Sequence, residues 1–293
     1  IKALYQVGEN QVLSKADANH VEKAHEKLDF FVVQDIFLTQ TARYADIVLP
    51  ACSFAEKDGT FTNTERRVQR ISKALDPPDL AMEDWHICCE TARRMGAKGF
   101  DYDSDHDIVE EINSLTPSYA GITSDRIEGE GLQWPCPDKD HPGTKFLHGG
   151  KFAGRSGRGR LFPLMYKVSF GLPDNEYPLL LTTGRSLYHY HTSTMTGRVS
   201  GLVDLEGMEA LRLNPEDAKK MEVDEGETVV VNSRRGRIKE KINFSRTCPE
   251  GVASLTFHFP DVPANELTIC AVDPVSKIPE TKVCAVKVEK TDI

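Results

Sequence analysis

The chain has 293 residues, of which 39% are hydrophobic and 28% charged, and carries a formal net charge of −9. That length accommodates two ordinary domains, and the acidic balance argues against a general nucleic-acid or anionic-membrane binder, which needs a positive face. No apolar run reaches the ~18 residues of a membrane-spanning helix, so no membrane span is expected.

Taken in order, residues 1–112 alternate short apolar runs with helical patterns, which implies βαβ units and a parallel sheet. Ile1 to Val7 reads as a strand that stops at Gly8. A start without Met, inside an element, points to a fragment, a processed chain or one piece of a split polypeptide. Ala16 to Lys27 reads as a helix with Val21, Ala24 and Leu28 on one stripe. Phe30 to Val33 is a buried strand, and Ala45 to Leu49 another, ended by Pro50. Asp84 is expected to cap a helix whose inward face offers Trp85, Ile87, Cys88 and Ala92, with Gly96 as its stop.

Residues 113–176 are rich in Gly, Pro and Asp with little periodicity, and read as a long connection over the surface. A short helix at Asp107 to Ser114 is the exception. From 177 to 293 the pattern becomes β-dominated. Leu179 to Thr183 is a strand, Glu227 to Asn232 and Arg237 to Phe244 form a hairpin about Ser233-Arg234-Arg235-Gly236, and Val252 to Phe257 and Val283 to Val288 add two more strands. Asn214 caps a short helix with Pro215 at its first position. Several short strands with one or two small helices imply a compact barrel.

Polar residues gather where strands end. Gly8-Glu9-Asn10 and Gln34-Asp35 each follow a strand directly, and in open α/β sheets ligands bind outside the carboxyl ends of the strands. The competing reading is that Asn10 and Asp35 only satisfy turn backbone. After the strand at Leu181 come Gly184-Arg185-Ser186-Leu187-Tyr188-His189-Tyr190-His191-Thr192. Arg185 offers a planar fork for phosphate or carboxylate, Gly184 permits close backbone approach, and the His and Tyr side chains supply donors and flat faces. His189 and His191, two apart, invite a metal reading with His258 as third ligand, but no carboxylate or Cys stands at helpful spacing, so no metal ligand is assigned. Seven cysteines show no CxxC pair and no iron–sulfur or zinc spacing, and read as reduced thiols of a cytoplasmic protein. The basic run Lys151 to Arg160 reads as a glycine-rich surface loop rather than an RNA contact.

Here the sequence resembles a known family. Gly184-Arg185 through His189-Tyr190-His191-Thr192 to Met195-Thr196 is similar to the C-terminal cofactor-binding domain of the molybdenum or tungsten bis(pterin guanine dinucleotide) oxidoreductases, and within them to the formate dehydrogenase catalytic subunit. Val33 to Phe37, Ala45 to Pro50, Gly59 to Arg70 and Pro274 to Val286 extend the likeness nearly end to end, weakest between about Gly99 and Glu176. It implies an α/β Rossmann-like domain followed by a double-psi β-barrel domain, together clasping bis-molybdopterin guanine dinucleotide with Mo or W.

Carried over by motif, Asn10, Ser14, Gln34, Asp35 and Asp84 would line one dinucleotide pocket, with Asp84 accepting the guanine N–H groups. At position 10 many relatives carry Asp, where this chain has Asn10. Thr183, Arg185, Leu187, His189, Tyr190 and Thr192, joined by Asn265 and Lys282, would meet the second cofactor. The family's 4Fe–4S cysteine motif, metal-ligating Cys or selenocysteine and catalytic His have no counterpart here. No residue is therefore expected to be catalytic. The resemblance implies oxidation of formate to CO2, or the reverse, shared with an N-terminal catalytic portion and an iron–sulfur electron-transfer subunit. A nitrate reductase or other oxidoreductase with the same cofactor, and a non-catalytic domain of this fold in a respiratory complex, are the alternatives.

Overall fold

A computed structural model describes residues 1–207 and 209–291. The chain divides into two compact units, 1–48 with 166–293, and 49–165. Packing thus cuts the chain at other places than the segments 1–112, 113–176 and 177–293 read from periodicity.

In the first unit, β1 (Ala3–Val7) and β2 (Phe30–Asp35) pair in parallel, and β3 (Ile47–Pro50) completes a three-stranded sheet in the order β1-β2-β3. Gly8 ends β1 at a φ of 62°, a left-handed conformation that favours glycine, and its N–H donates to the Gln34 carbonyl at 2.9 Å. Between the strands lie α1 (Gln11–Ser14) and α2 (Ala18–His25). Asp17 caps α2 by accepting from the His20 N–H. The helix is shorter than its sequence pattern and buries Ala18 and His25, whereas Ala24 is exposed. Phe31, Val33 and Ala42 form the core of this region, with Leu4, Leu28 and Val48 packed against them.

The second unit holds the hairpin β4 (Gly59–Thr62) and β5 (Arg67–Ile71), the helices α3 (Asp84–Arg94) and α4 (Asp105–Leu115), and the short β6 (Leu132–Gln133), which pairs with β5. Asp84 is the first helical residue rather than the cap: Glu83 occupies that place, and the inward side chains are Ile87 and Cys89 while Cys88 faces solvent. The segment after α4 is more than a surface connection. Ile122, Ile127 and Cys136 close on Val68 as a small hydrophobic core. Gly- and Pro-rich turns built this core without any repeating period, which is why periodicity missed it.

Returning to the first unit, β7 (Leu179–Gly184), β8 (Leu211–Leu213), β9 (Thr228–Ser233), β10 (Arg237–Phe244), β11 (Val252–Thr256) and β12 (Cys284–Lys290) close a six-stranded barrel in the order β10-β8-β11-β7-β12-β9. β7 runs parallel to β11 and β8 parallel to β10; the remaining pairs are antiparallel. Alternation of side chains fills the barrel with Leu179, Leu181, Leu211, Leu213, Val229, Val231, Ile238, Ile242, Leu255 and Val286. Between β7 and β8 lies α5 (Ser200–Glu206), and α6 (Pro215–Lys220) packs Ala218 into the barrel core and is capped as expected by Asn214, which accepts from the Glu216 N–H. No described helix is long and apolar enough to cross a membrane.

Candidate functional site

The end of β7 feeds the loop 185–199, and that loop is fixed from behind by one buried imidazole. His258 follows β11 and is fully buried. Its Nε2 accepts from the Ser186 N–H at 2.8 Å, and its Nδ1 donates to the His191 carbonyl. Ser193 Oγ donates to the His258 carbonyl at 2.7 Å. His191 and Ser193 take positive φ values of 50° and 53°, so the loop doubles back tightly here. His189 and His191 therefore do not share one face of a strand: His189 is buried while His191 is exposed. Both nitrogens of His258 are engaged, and no group of three or more His, Cys, Asp or Glu among the described residues is placed to hold a metal ion.

Asn10, Asp35, Tyr190 and Thr192 come together around a cleft of about 520 Å³, joined by Gly8, Glu9, Ile36, Thr39, His191, Thr194 and Met195. The ends of β1 and β2 thus face the loop after β7 within one unit. Asn10 is buried and its amide is engaged internally. Nδ2 donates to Gln40 Oε1 at 2.8 Å, and Oδ1 accepts from the Thr41 N–H and hydroxyl at 3.2 and 2.9 Å. Asp35 Oδ1 accepts from the Ile36 N–H at 2.7 Å. Ser14 is half-buried and donates to Glu9 at 3.4 Å. Burial opposes ionisation of Glu9, but Lys15 at 2.8 Å together with hydrogen bonds from Gln11 and Ser14 holds the carboxyl below its usual range.

Gln34 is fully buried, away from this cleft, and accepts the Tyr5 hydroxyl hydrogen bond. Asp84 belongs to the second unit. It pairs with Lys57 and lines a pocket of about 220 Å³ with Trp85, Thr60 and Asp105.

A second group forms where β7 meets β12. Thr183 Oγ donates to the Thr281 carbonyl at 2.8 Å, and Lys282 Nζ donates to the Thr183 carbonyl. Arg185 is exposed, its guanidinium 5.4 Å from the Phe257 ring centre. Burial lowers the Lys282 pKa, and the positive charge of Arg185 lowers it further. The same two causes, in that order, lower His191. Arg185 and Lys282 thus build a positive potential that disfavours further protonation nearby and suits an anionic ligand.

Leu187 is 87% exposed and is not among the residues lining the 520 Å³ cleft. Asn265 is buried, with Nδ2 donating to the Leu13 carbonyl at 2.6 Å and Oδ1 accepting from Thr268 at 3.1 Å, which ties the barrel to α1. His189 Nδ1 meets the Thr196 hydroxyl at 3.1 Å, while its buried Nε2 has no partner.

A third cavity, about 540 Å³, shares Thr39, Thr192 and Thr194 with the first cleft and extends to Arg43, Arg198, Glu209, Glu240, Phe259 and Val262. The sequence reading assigned none of these latter residues. Glu240 was legible in principle, because strand alternation sets it inward between Ile238 and Ile242.

Residues 1–94 match the family described as molybdopterin oxidoreductase, and residues 179–285 match the molydopterin dinucleotide binding domain. The F420-dependent formate dehydrogenase subunit alpha of Methanocaldococcus jannaschii is 50% identical over 291 residues, a match covering 99% of this chain and 43% of that protein. The assimilatory nitrate reductase catalytic subunit of Bacillus subtilis is 35% identical, covering 98% and 42%, and formate dehydrogenase H of Escherichia coli 34% identical, covering 99% and 41%. The chain therefore spans less than half the length of these curated relatives. Acetylene hydratase from Pelobacter acetylenicus has the same fold, with a TM-score of 0.78 at 20% identity over 99% of this chain and 44% of that one.

Proposed function

We propose that this chain, which carries molybdopterin oxidoreductase and molydopterin-dinucleotide-binding regions, is the cofactor-holding C-terminal portion of a molybdenum or tungsten formate dehydrogenase. In this reading the three-stranded sheet is the remnant of a Rossmann-like domain spanning 1–112, residues 113–176 connect, and the barrel of 177–293 is of double-psi type. The observation that carries it is the 520 Å³ cleft, where the strand ends Gly8 to Asn10 and Asp35 face Tyr190 to Thr192 of the domain matched to dinucleotide binding.

The side chains fit such a group. Arg185 and Lys282 suit phosphates or ring carbonyls, Tyr190 offers a flat face, and the unpartnered His189 Nε2 and Glu240 Oε2 await hydrogen bonds that the protein does not supply. When bound, bis-molybdopterin guanine dinucleotide would bring the metal that exchanges two electrons with formate. This chain binds and orients it. On the motifs they belong to, Asn10, Ser14, Gln34 and Asp35, with Thr183, Arg185, Leu187, His189, Tyr190, Thr192, Asn265 and Lys282, are the proposed contacts, and Asp84 of the second unit is proposed separately as a guanine acceptor. Of these, Asn10, Gln34 and Asn265 also hold their own backbone or side-chain neighbours.

Metal ligation, a 4Fe–4S cluster and electron exit are assigned to the rest of the longer protein and to an iron–sulfur partner subunit, in a cytoplasmic complex. The names of the Methanocaldococcus jannaschii and Methanococcus maripaludis relatives, F420-dependent formate dehydrogenases, make F420 the first electron acceptor to test. Metal and pterin analysis of the complete enzyme, with viologen-linked assays on formate and on nitrate, tests the proposal. Stoichiometric Mo or W, pterin and formate oxidation are expected; zinc alone, or no pterin, would overturn it. The likeness to the nitrate reductase supports a second reading, which nitrate turnover without formate turnover would select.

A further inference from the structure

From Leu161 to Phe170 the chain carries its apolar side chains outward. Leu161, Leu164, Met165 and Tyr166 are 88 to 96% exposed, and Phe162, Val168 and Phe170 63 to 77%. The backbone is equally open. Residues 161–169 lie in no helix, strand or turn, and no backbone hydrogen bond among the described residues engages Leu161 to Val168. Single exposed apolar residues are ordinary on a protein surface, whereas a contiguous run of them marks an interface. The run is nevertheless anchored. Glu280 Oε2 accepts from the Ser169 hydroxyl at 2.6 Å and from the Phe170 N–H at 3.0 Å. Gly171 then lies so close to the chain entering β12 that a Cβ would stand 2.3 Å from the Val283 carbonyl oxygen. These contacts tie 169–171 to the barrel, so Val168 and Phe170 are presented from a positioned backbone.

Composition and length together name the occupant. An interface that forms and breaks in solution is about as polar as the rest of a surface, whereas a permanent one resembles a core cut in half. Lys167 is the single charge among these aliphatic and aromatic side chains, which places the run with the permanent kind. The match to the Methanocaldococcus jannaschii relative covers 99% of this chain but 43% of that protein, so more than half of the relative has no counterpart here. We propose that 161–170 is a docking strap, buried in the complete enzyme by the polypeptide region that the relatives carry and this chain lacks. The inference rests on the reading of this chain as one portion of a longer enzyme. It deepens that reading by naming the surface on which the other portion sits.

Photo-cross-linking of the complete enzyme tests it, with a benzophenone side chain placed at Leu164 and, separately, at Val168, and the linked peptides mapped by mass spectrometry. Amide exchange over 161–168 is followed in the complete enzyme and in this chain alone. Cross-links should run to the region that this chain lacks, and exchange should be at least about a hundredfold slower in the complete enzyme. Cross-links to a second copy or to a separate iron–sulfur subunit would overturn the strap. So would exchange as fast in the complete enzyme as in this chain alone. Pterin and metal content of the same preparation are read separately. Pterin present with a freely exchanging strap removes this inference alone, whereas pterin absent with cross-links to the expected region removes the cofactor reading and leaves the docking surface.

Discussion

The Nε2 of His258 accepts a hydrogen bond from the Ser186 N–H at 2.8 Å, across 72 residues of sequence. With Nδ1 donating to the His191 carbonyl, this requires the neutral tautomer protonated at Nδ1. One imidazole thereby sets both the start and the middle of the loop that carries Arg185, His189 and Tyr190. His258→Ala leaves that amide and carbonyl without their partner and opens a cavity at a fully buried position. A loss of about 2–4 kcal/mol in chemical denaturation is expected, with faster amide exchange at Ser186. An unchanged denaturation midpoint would show that the loop does not depend on His258.

Asn265 plays a corresponding bracing part, between the segment before β12 and α1. Its amide is shared between the Leu13 carbonyl and the Thr268 hydroxyl, all buried. Asn265→Leu should cost about 1–3 kcal/mol, because the Leu13 carbonyl then lacks a donor. If Asn265 mainly holds the protein together, the loss appears in thermal unfolding of the ligand-free chain. A variant of parental stability that binds pterin less tightly would instead make it a ligand contact.

The barrel was legible because its strands obey a two-residue period: β10 alternates exposed and buried from Arg237 to Glu240 and beyond, as the sequence does. The loop after β7 was legible as a place, since Gly184-Arg185 follows a strand end. Its internal logic was not. Nothing local to His258 says that it braces residues 186 and 191 rather than ligating a metal, because those partners are set by barrel closure. Likewise Ile122, Ile127 and Cys136 carry no helical or strand period, and only the fold brings them to Val68. Gln34 and Asp35 show the same limit from the other side. Adjacent on one strand end, they point to opposite faces, so Asp35 lines the cleft while Gln34 is buried against Tyr5.

Stability should depend on pH through Glu240. Burial raises its pKa above the ordinary 4.5, and the nearby charge of Glu209 adds to the shift. The unfolded chain then ionises Glu240 more readily than the folded one, so stability is lost as pH rises from 4.5 towards the folded value. His25 has the opposite sign. Burial lowers its pKa below 6.5, so its share is lost as pH falls through that value. Glu240→Gln should therefore match the parent near pH 4 and become progressively more stable than it as pH rises. A stability difference that stays flat with pH would show that Glu240 ionises freely in the folded state.

The thiols should separate by burial. Cys88 and Cys270 are exposed, whereas burial pushes Cys284 up to about 11 and its Sγ lies against the Leu267 carbonyl at 2.7 Å. At pH 8 only about a thousandth of Cys284 is thiolate, the reactive form. Cys88 and Cys270 are expected to react with a disulfide reagent at once, and Cys284 only after denaturant is added. Prompt modification of Cys284 in native protein, located by peptide mass mapping, would contradict the packing of β12.

Arg185 separates binding from stability most cleanly. It is exposed, and its contact with Phe257 at 5.4 Å is a surface one of about 0.5–1 kcal/mol. Arg185→Ala should therefore change the unfolding midpoint little. Its charge lowers the pKa of both His191 and Lys282, which places it within electrostatic reach of the cleft and of the end of β7. If that charge meets cofactor phosphate, the variant should lose pterin content by at least about tenfold at limiting cofactor, while Arg185→Lys recovers part of it as a point charge without the fork. Equal pterin content in Arg185→Ala and the parent would remove Arg185 from the proposed site and leave Lys282 as the cation at that end of the barrel.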